Sequence, residues 1–326
     1  MQALQVQSLG PDYAGCVLTE LPVPKPGPGE ALIRVRAAAL NFPDLLMTRG
    51  EYQLKPTLPF VPGMEAAGEV IAAPAGSGFA AGDRVVAGTR LGAFAEYAVV
   101  PVANLRALPP DISFETGAAF GSAYLTAWVA LVELGQLKPD QWVLVHGAAG
   151  GVGLAAVDLA HVLGAKVIAT SASPAKLAVI ARDYAPAATI VAKGRFREEV
   201  ARITDGALCD LVYDPVGGDV FDESTRCVAF GGKLLVVGFT SGRIPDISVN
   251  IPLIKGFSVV GVRAGEYSRR FPDRGSAIRE ETLRLLTEGQ IRPRIDRVLP
   301  LSRWHEGFAT MANREVVGKI VFVPGG

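Results

Sequence analysis

The chain has 326 residues, 49% of them hydrophobic, with 32 Lys and Arg against 32 Asp and Glu. Balanced charge offers no electrostatic footprint for nucleic acid or an anionic membrane, and with no run of 18 apolar residues no membrane span is expected. The length exceeds one small core and suits two domains. Residues 1–10 carry neither a basic nor an apolar leader pattern. Cys16, Cys209 and Cys227 lie far apart with no CxxC, so a cytoplasmic, reducing compartment is expected.

The first third reads as short strands. Ala31–Arg36 alternates at period two, and Gly68–Ala73, Asp83–Ala87 and Ala95–Val100 are further short apolar runs. Pro22, Pro24, Pro26, Pro28 and Gly29 precede the first, and Gly76, Gly78 and Gly82 precede the third. Closely spaced strands with such turns predict a compact barrel.

From about Ser122 helix and strand alternate. A helix over Tyr124–Leu134 leads to the apolar run Trp142–His146. The cluster Gly147-Ala148-Ala149-Gly150-Gly151-Val152-Gly153 follows, then an alanine-rich helix with Ala155, Leu159 and Leu163 at helical spacing. Strand, tight loop and helix start form the place where a dinucleotide pyrophosphate sits. Glycines let the backbone approach the phosphates, and the helix N-terminus offers free N–H groups. Ala149, Gly150, Gly151, Val152 and Gly153 are therefore candidate cofactor residues.

Lys166–Thr170 is the second strand. A site for NAD usually closes this strand with Asp or Glu, which binds the ribose 2′-OH. Here Thr170-Ser171-Ala172-Ser173-Pro174-Ala175-Lys176 follows, with no carboxylate before Asp183. Ser171, Ser173 and Lys176 suit a 2′-phosphate, and Lys193 and Arg195 can add positive charge, so NADPH is expected over NADH. Ser171 and Ser173 also read as caps of a helix starting at Pro174, with Lys176 as a solvated residue. Both readings can hold together.

Later strands are expected at Leu208–Tyr213, Lys233–Val237 and Ser258–Val262. Near-continuous apolar strands between helices mean a parallel sheet covered on both faces. The turns Pro215–Gly218 and Gly238–Ser241 lie beyond the strands' carboxyl ends, which makes Val216, Gly238 and Phe239 candidate cofactor walls, or else residues of turns whose glycines merely end the strands. After Gly265 come a helix over Ala277–Glu288, the segment Val298–Leu301, a helix over Arg303–Asn313 and a last strand, Lys319–Val323, which returns to the first domain. The expected division is 1–121 with 264–326 for the barrel domain and 122–263 for the nucleotide domain. Ser258–Val262 can pair edge to edge with its copy, so a homodimer is expected.

These residues together resemble the zinc-independent quinone oxidoreductases, the zeta-crystallin-like branch of the medium-chain dehydrogenase/reductase superfamily. The resemblance runs nearly end to end. It is carried by Asn41-Phe-Pro-Asp44, Arg49-Gly-Glu-Tyr52, Pro62-Gly-Met-Glu-Ala-Ala-Gly68, Gly82-Asp-Arg-Val85, Gly147–Gly153 and Gly318-Lys319. It implies an α/β fold in which a doubly wound Rossmann sheet is inserted into a GroES-like β-barrel domain, assembled as a homodimer or homotetramer. It also implies hydride transfer from NADPH to a quinone or, alternatively, to the activated C=C of an enone or 2-enoyl thioester. Lens crystallins of the family add a third alternative, a non-catalytic NADPH-binding structural or regulatory protein. Thr126, Val262, Arg263 and Lys319 join the cofactor residues on the same ground, as do Asn41 and Tyr52. The chain departs from the family fingerprint at Asp158, usually Gln, at His161, and at Lys193, which stands where a tyrosine is common.

Zinc relatives use a Cys near Asn41 and a His before Glu65, where this chain has Asn41-Phe-Pro-Asp44 and Met64. His146, His161 and His305 lie at no ligand spacing, so no metal is expected. Without one, the acceptor must already be electrophilic, and a hydrogen-bond donor must meet the charge developing on its oxygen. The resemblance assigns that role to Asn41 and Tyr52. From the residues alone, Asn41 also reads as a turn or cap residue and Tyr52 as a surface aromatic. Glu65 is expected to pair with an arginine, and Asp44 to anchor its turn. Arg263, Arg269 and Arg270 form either a solvated cluster or an anion site for a carboxylate or CoA phosphate.

Overall fold

A computed structural model describes residues 1–325 as two compact units. The first unit comprises residues 1–122 and 293–326, the second residues 123–292. The first is built on the ten-residue strand Glu30–Ala39, which pairs antiparallel with three neighbours: Glu65–Ala72, Tyr97–Pro101 and Lys319–Val323. Arg84–Gly88, Leu105–Ala107 and Ile295–Pro300 extend this seven-stranded sheet. A register shift between Val35 and Ala37 reverses which residues face which core. Before it, Ala31, Ile33 and Val35 enter the main core with Phe94, Phe308 and Phe322. After it, Ala38 and Leu40 do so, while Ala37 and Ala39 pack with Ala118, Ala119 and Leu108. The alternation legible at Ala31–Arg36 stops at this shift because both faces beyond it are covered by small apolar residues.

The second unit holds a six-stranded, all-parallel sheet in the order Ala188–Val191, Lys166–Ser171, Trp142–Val145, Cys209–Asp214, Val228–Val236 and Ser258–Gly261. The chain order reverses between Trp142–Val145 and Cys209–Asp214. Ligands of such sheets bind beyond the carboxyl ends of the strands at that switch point. Leu144, Ile168, Ile190, Val212 and Leu234 are buried together from five of the six strands.

Two expectations about helices change. The helix expected from Tyr124 starts at Phe114 and runs to Trp128, then continues over Val129–Leu134 as a wider π turn, with the Gly135 N–H donating to Ala130 O. By length and composition Phe114–Leu134 passes for a membrane span, but 56% of its apolar window is buried inside the protein, as in a core helix. The second unit also extends to Arg292 rather than 263. Helices Ala264–Arg270 and Pro272–Thr287 belong to it because Ala264 and Ile278 pack on Val129, and because Glu133 accepts hydrogen bonds from Trp128, Tyr267 and Arg274.

Candidate active site

The strand Trp142–Val145 feeds the glycine turn, and the helix Gly151–Val162 leaves it. Gly147 has φ 54°, and a Cβ at Gly153 would lie 2.2 Å from the Gly147 carbonyl oxygen, so neither position accommodates a side chain without strain. The Ala148 N–H donates to Thr170 O at 3.0 Å, tying the turn to the end of the second strand. Gly150, the N-cap residue, provides no side-chain cap. The first-turn amides of Gly151, Val152 and Gly153 therefore face outward for an anion. Ala149 is buried.

The two expected walls are joined to each other and to this turn. The Asp214 Oδ1 accepts from the Val216 and Gly217 amides at 2.8 and 3.0 Å. The Thr240 amide donates to Pro215 O and the Ser241 amide to Val216 O, which laces Pro215–Gly218 to the Gly238–Phe239 turn. A Cβ at Gly147 would meet Val216 Cγ2 at 3.2 Å, so the first wall lies against the glycine turn. Burial pushes the Asp214 carboxyl up to about 6, against the two amide bonds that favour its charge.

Ser171 and Ser173 cap, as the sequence allowed. Ser173 Oγ accepts from the Lys176 amide and Ser171 Oγ from the Ser173 amide. Ser171 pairs in register with Val191 on the neighbouring strand, and exposed Lys193 and Arg195 follow two and four residues later. Hydroxyls and cations thus share the carboxyl ends of two adjacent strands. Thr126 is half-buried on Phe114–Trp128, two residues past Tyr124, whose hydroxyl donates to Asp158 of the cofactor helix at 2.5 Å. The Val262 N–H donates to Val236 O, and Arg263 is exposed at the start of Ala264–Arg270. Arg269 and Arg270 both bond Glu266, whose carboxyl they hold down at about 2. One carboxylate offsets only one of these two charges, so the cluster with Arg263 keeps a net positive charge.

In the first unit the chain converges on a buried polar cluster. Asn41 caps helix Phe42–Thr48, Glu65 opens Glu65–Ala72 and Lys319 opens Lys319–Val323. The Lys319 Nζ donates to Glu65 Oε1 at 2.8 Å and to Asn41 Oδ1 at 2.7 Å. Asn41 Nδ2 donates to Glu65 Oε1 at 2.9 Å and to Ala39 O at 3.3 Å. The second Glu65 oxygen accepts from the Ser122 amide. Glu65 therefore pairs with a lysine rather than the expected arginine, and Lys319, expected at the cofactor, has its ammonium committed to Glu65 and Asn41. Both Asn41 amide hydrogens are also committed, leaving none in this conformation for a substrate oxygen. Asp44 anchors its turn, taking the Asn41 and Gly63 amides on separate oxygens. Its complete burial pushes it up to about 7. Tyr52 is half-buried, with its ring against the main core.

The sequence alone assigns no site role to Asp214 or His146. Each stands immediately before a turn at a strand end, and that position is the signal that was available.

Residues 151–279 match the family model described as zinc-binding dehydrogenase, and residues 27–110 match the alcohol dehydrogenase GroES-like domain. The chain is 37% identical over 90% of its length to a quinone oxidoreductase-like protein 2 homolog of Nematostella vectensis, covering 82% of that relative. It is 36% identical over 92% of its length to a quinone oxidoreductase of Pseudomonas aeruginosa, covering 93% of it. The solved Escherichia coli quinone oxidoreductase complexed with NADPH superposes with a TM-score of 0.90 at 27% identity, covering 99% of this chain and 100% of that one. The zinc implied by the first family model does not fit this donor set. Asn41 and Met64 supply neither thiolate nor imidazole, and the Lys319 ammonium already neutralises Glu65. Among the described residues no three His, Cys, Asp or Glu side chains converge in a metal-holding group.

Proposed function

The chain belongs to the zinc-independent quinone oxidoreductase branch of the medium-chain dehydrogenase/reductase superfamily, and from that premise we propose that it transfers a hydride from NADPH to a quinone. The observation that carries this reading is the uncapped glycine turn beside a strand end that bears hydroxyls and cations but no carboxylate. Gly153 lets the helix start close against the Gly147 carbonyl, and the Gly151–Gly153 amides would hold the pyrophosphate. Ser171, Ser173, Lys176 and Lys193 would meet the 2′-phosphate. Val216, Gly238 and Phe239 would wall the ring end of the dinucleotide. NADPH, when bound, supplies the hydride from its nicotinamide.

Tyr52 is the donor we assign to the acceptor's oxygen, because Asn41 has no uncommitted hydrogen. Asn41 instead holds Lys319 and Glu65 in place. No metal polarises the acceptor in this reading, so the acceptor must already be electrophilic, as an electron-poor quinone is. We further infer a homodimer. Ser258–Gly261 is the outer strand of its sheet, and Val249, Leu253, Ile254 and Phe230 beside it are 84%, 82%, 76% and 89% exposed. A Cβ at Gly256 would collide with the Phe230 ring, which places that ring on the turn leading into the strand. An apolar patch of this extent next to an open strand edge favours a second copy.

Steady-state oxidation of NADPH and NADH against quinones, enones and enoyl thioesters, with and without chelator, tests the activity. Quinone turnover with NADPH, insensitive to chelator, is expected. Turnover confined to enones or thioesters, or loss of activity with chelator, overturns the assignment. Light scattering of a Leu253→Asp variant tests the dimer, and an unchanged mass for parent and variant refutes it.

A further inference from the structure

His146 directly follows the strand Trp142–Val145, one residue before Gly147, and is fully buried. Its Nε2 lies 2.7 Å from Ser224 Oγ and its Nδ1 2.8 Å from Thr170 Oγ1. The single hydroxyl hydrogen of Ser224 goes to the Val220 carbonyl at 2.6 Å. Ser224 can therefore offer the ring only lone pairs, and Nε2 must carry the imidazole hydrogen. The neutral ring then presents a bare Nδ1, which accepts the Thr170 hydroxyl. The Phe196 ring, with its centroid 5.2 Å away, covers one side.

This one residue reaches three segments around the expected dinucleotide. Its own backbone N–H donates to Tyr213 O, beside Asp214 and the Pro215–Gly218 turn. Ser224 closes the helix Gly218–Ser224 that leaves that turn. Thr170 is the strongest link. Its hydroxyl goes to the ring, its carbonyl takes the Ala148 amide of the glycine turn, and its neighbour Ser171 accepts the Ser173 amide.

We propose that His146 is a positioning residue for the dinucleotide. Its Nε2–H tautomer sets the spacing between the pyrophosphate turn and the strand end that meets the 2′-phosphate, and so tunes the preference for the phosphorylated cofactor. The inference rests on the NADPH reading of the same site. A ligand that grips both places senses this spacing, whereas NADH, lacking the 2′-phosphate, grips chiefly the first.

The test measures dissociation constants of NADPH, NADH and adenosine 2′,5′-bisphosphate, well below the melting temperature, for Thr170→Val, Thr170→Ser and His146→Leu. Nitrogen NMR of the parent histidines accompanies it. His146→Leu and Thr170→Val should weaken NADPH and the bisphosphate about tenfold, the scale of one lost hydrogen bond, and weaken NADH much less. Thr170→Ser should bind as the parent does. Nitrogen NMR should show Nε2 protonated and Nδ1 bare. Should His146→Leu not fold, Thr170→Val and the tautomer decide. Equal weakening of NADPH and NADH, parent-like binding by folded variants, or an Nδ1–H tautomer each overturns the role. A parent that binds neither NADPH nor the bisphosphate overturns the cofactor reading and this role with it. A parent that binds both while the variants match it overturns this role alone.

Discussion

Gly153→Ala is the sharpest test of the cofactor turn. The added Cβ would stand 2.2 Å from the Gly147 oxygen, 2.8 Å from its carbonyl carbon and 3.0 Å from the Ala148 Cα. All three are backbone atoms, so no side chain can swing aside. Ordinary contact begins near 3.4 Å, and 3.4 minus 2.2 leaves 1.2 Å by which the helix start and the turn must separate. Overpacking of this kind costs about 1–3 kcal/mol of stability. A 1 Å displacement of positioning groups costs on the order of a hundredfold in turnover. We expect denaturant titration to show the first loss and NADPH-dependent quinone reduction the second. Gly150→Ala is the control. Its φ is ordinary at −76° and its nearest atom is 3.4 Å away, so its stability should change by only about 0.5 kcal/mol. A Gly153→Ala protein with parental stability and parental NADPH affinity refutes the reasoning.

Four further outcomes follow from the geometry. Lys319→Met leaves Glu65 charged, buried and unpaired and should cost about 3–5 kcal/mol in denaturant melts, most of it recovered in Glu65→Gln/Lys319→Met; equal losses in the single and double variants would show that the pair does not matter. Asp158→Ala removes the acceptor of both the Tyr124 hydroxyl and the Arg292 amide and should cost about 3 kcal/mol by the same assay. Ser171→Asp keeps an acceptor for the Ser173 amide but adds negative charge; NADPH affinity should fall about tenfold or more while NADH affinity holds. Unfolding free energy against pH should show two opposed trends. Asp44, raised from 3.8 to about 7, holds a proton in the fold that the unfolded chain releases, so its contribution declines as pH rises through 4 to 7. His146, lowered from 6.5 to about 3, stays neutral while the unfolded chain takes up a proton, so its contribution declines as pH falls from 6.5 to 3. Asp44→Asn should flatten the first trend and His146→Leu the second.

The glycine turn was legible because its glycines are forced locally: Gly147 by φ and Gly153 by a carbonyl six residues back. The returning strand Lys319–Val323 was legible from an unbroken apolar run. Partnerships across hundreds of residues were not. Lys319 meets Asn41 and Glu65 over separations of 278 and 254 residues, and nothing local at Glu65 distinguishes a lysine partner from an arginine. The limit of the second compact unit at Arg292 has the same cause. The helices after Val262 carry apolar stripes that say they pack, but only Glu133, more than 130 residues upstream, says on what. Gly117 and Gly121, poor helix formers, lie in the turns before Tyr124. At Gly117 the glycine makes room for packing: a Cβ there would press on Leu108 and Val86 at 3.0 Å.

Asp214, Asp44 and His146 share one physical task. A strand that ends in a glycine turn leaves amides with no ladder partner, and buried amides must be satisfied. Asp214 satisfies the Val216 and Gly217 amides, and Asp44 those of Asn41 and Gly63. A carboxylate does this well because it accepts two amides at once, and each such bond is stronger than a neutral one. The cost is burial of the carboxylate itself, visible in the raised values of both groups. His146 does the same work between side chains without a charge. A search for groups that touch a ligand passes over Asp214 and His146, because each touches only the backbone or hydroxyls that hold the contacting surface in shape; the anchoring expected of Asp44 is what the structure shows. The position directly before a glycine or proline turn at a strand end, as in His146-Gly147 and Asp214-Pro215, is therefore a better sequence marker of this class than charge or exposure.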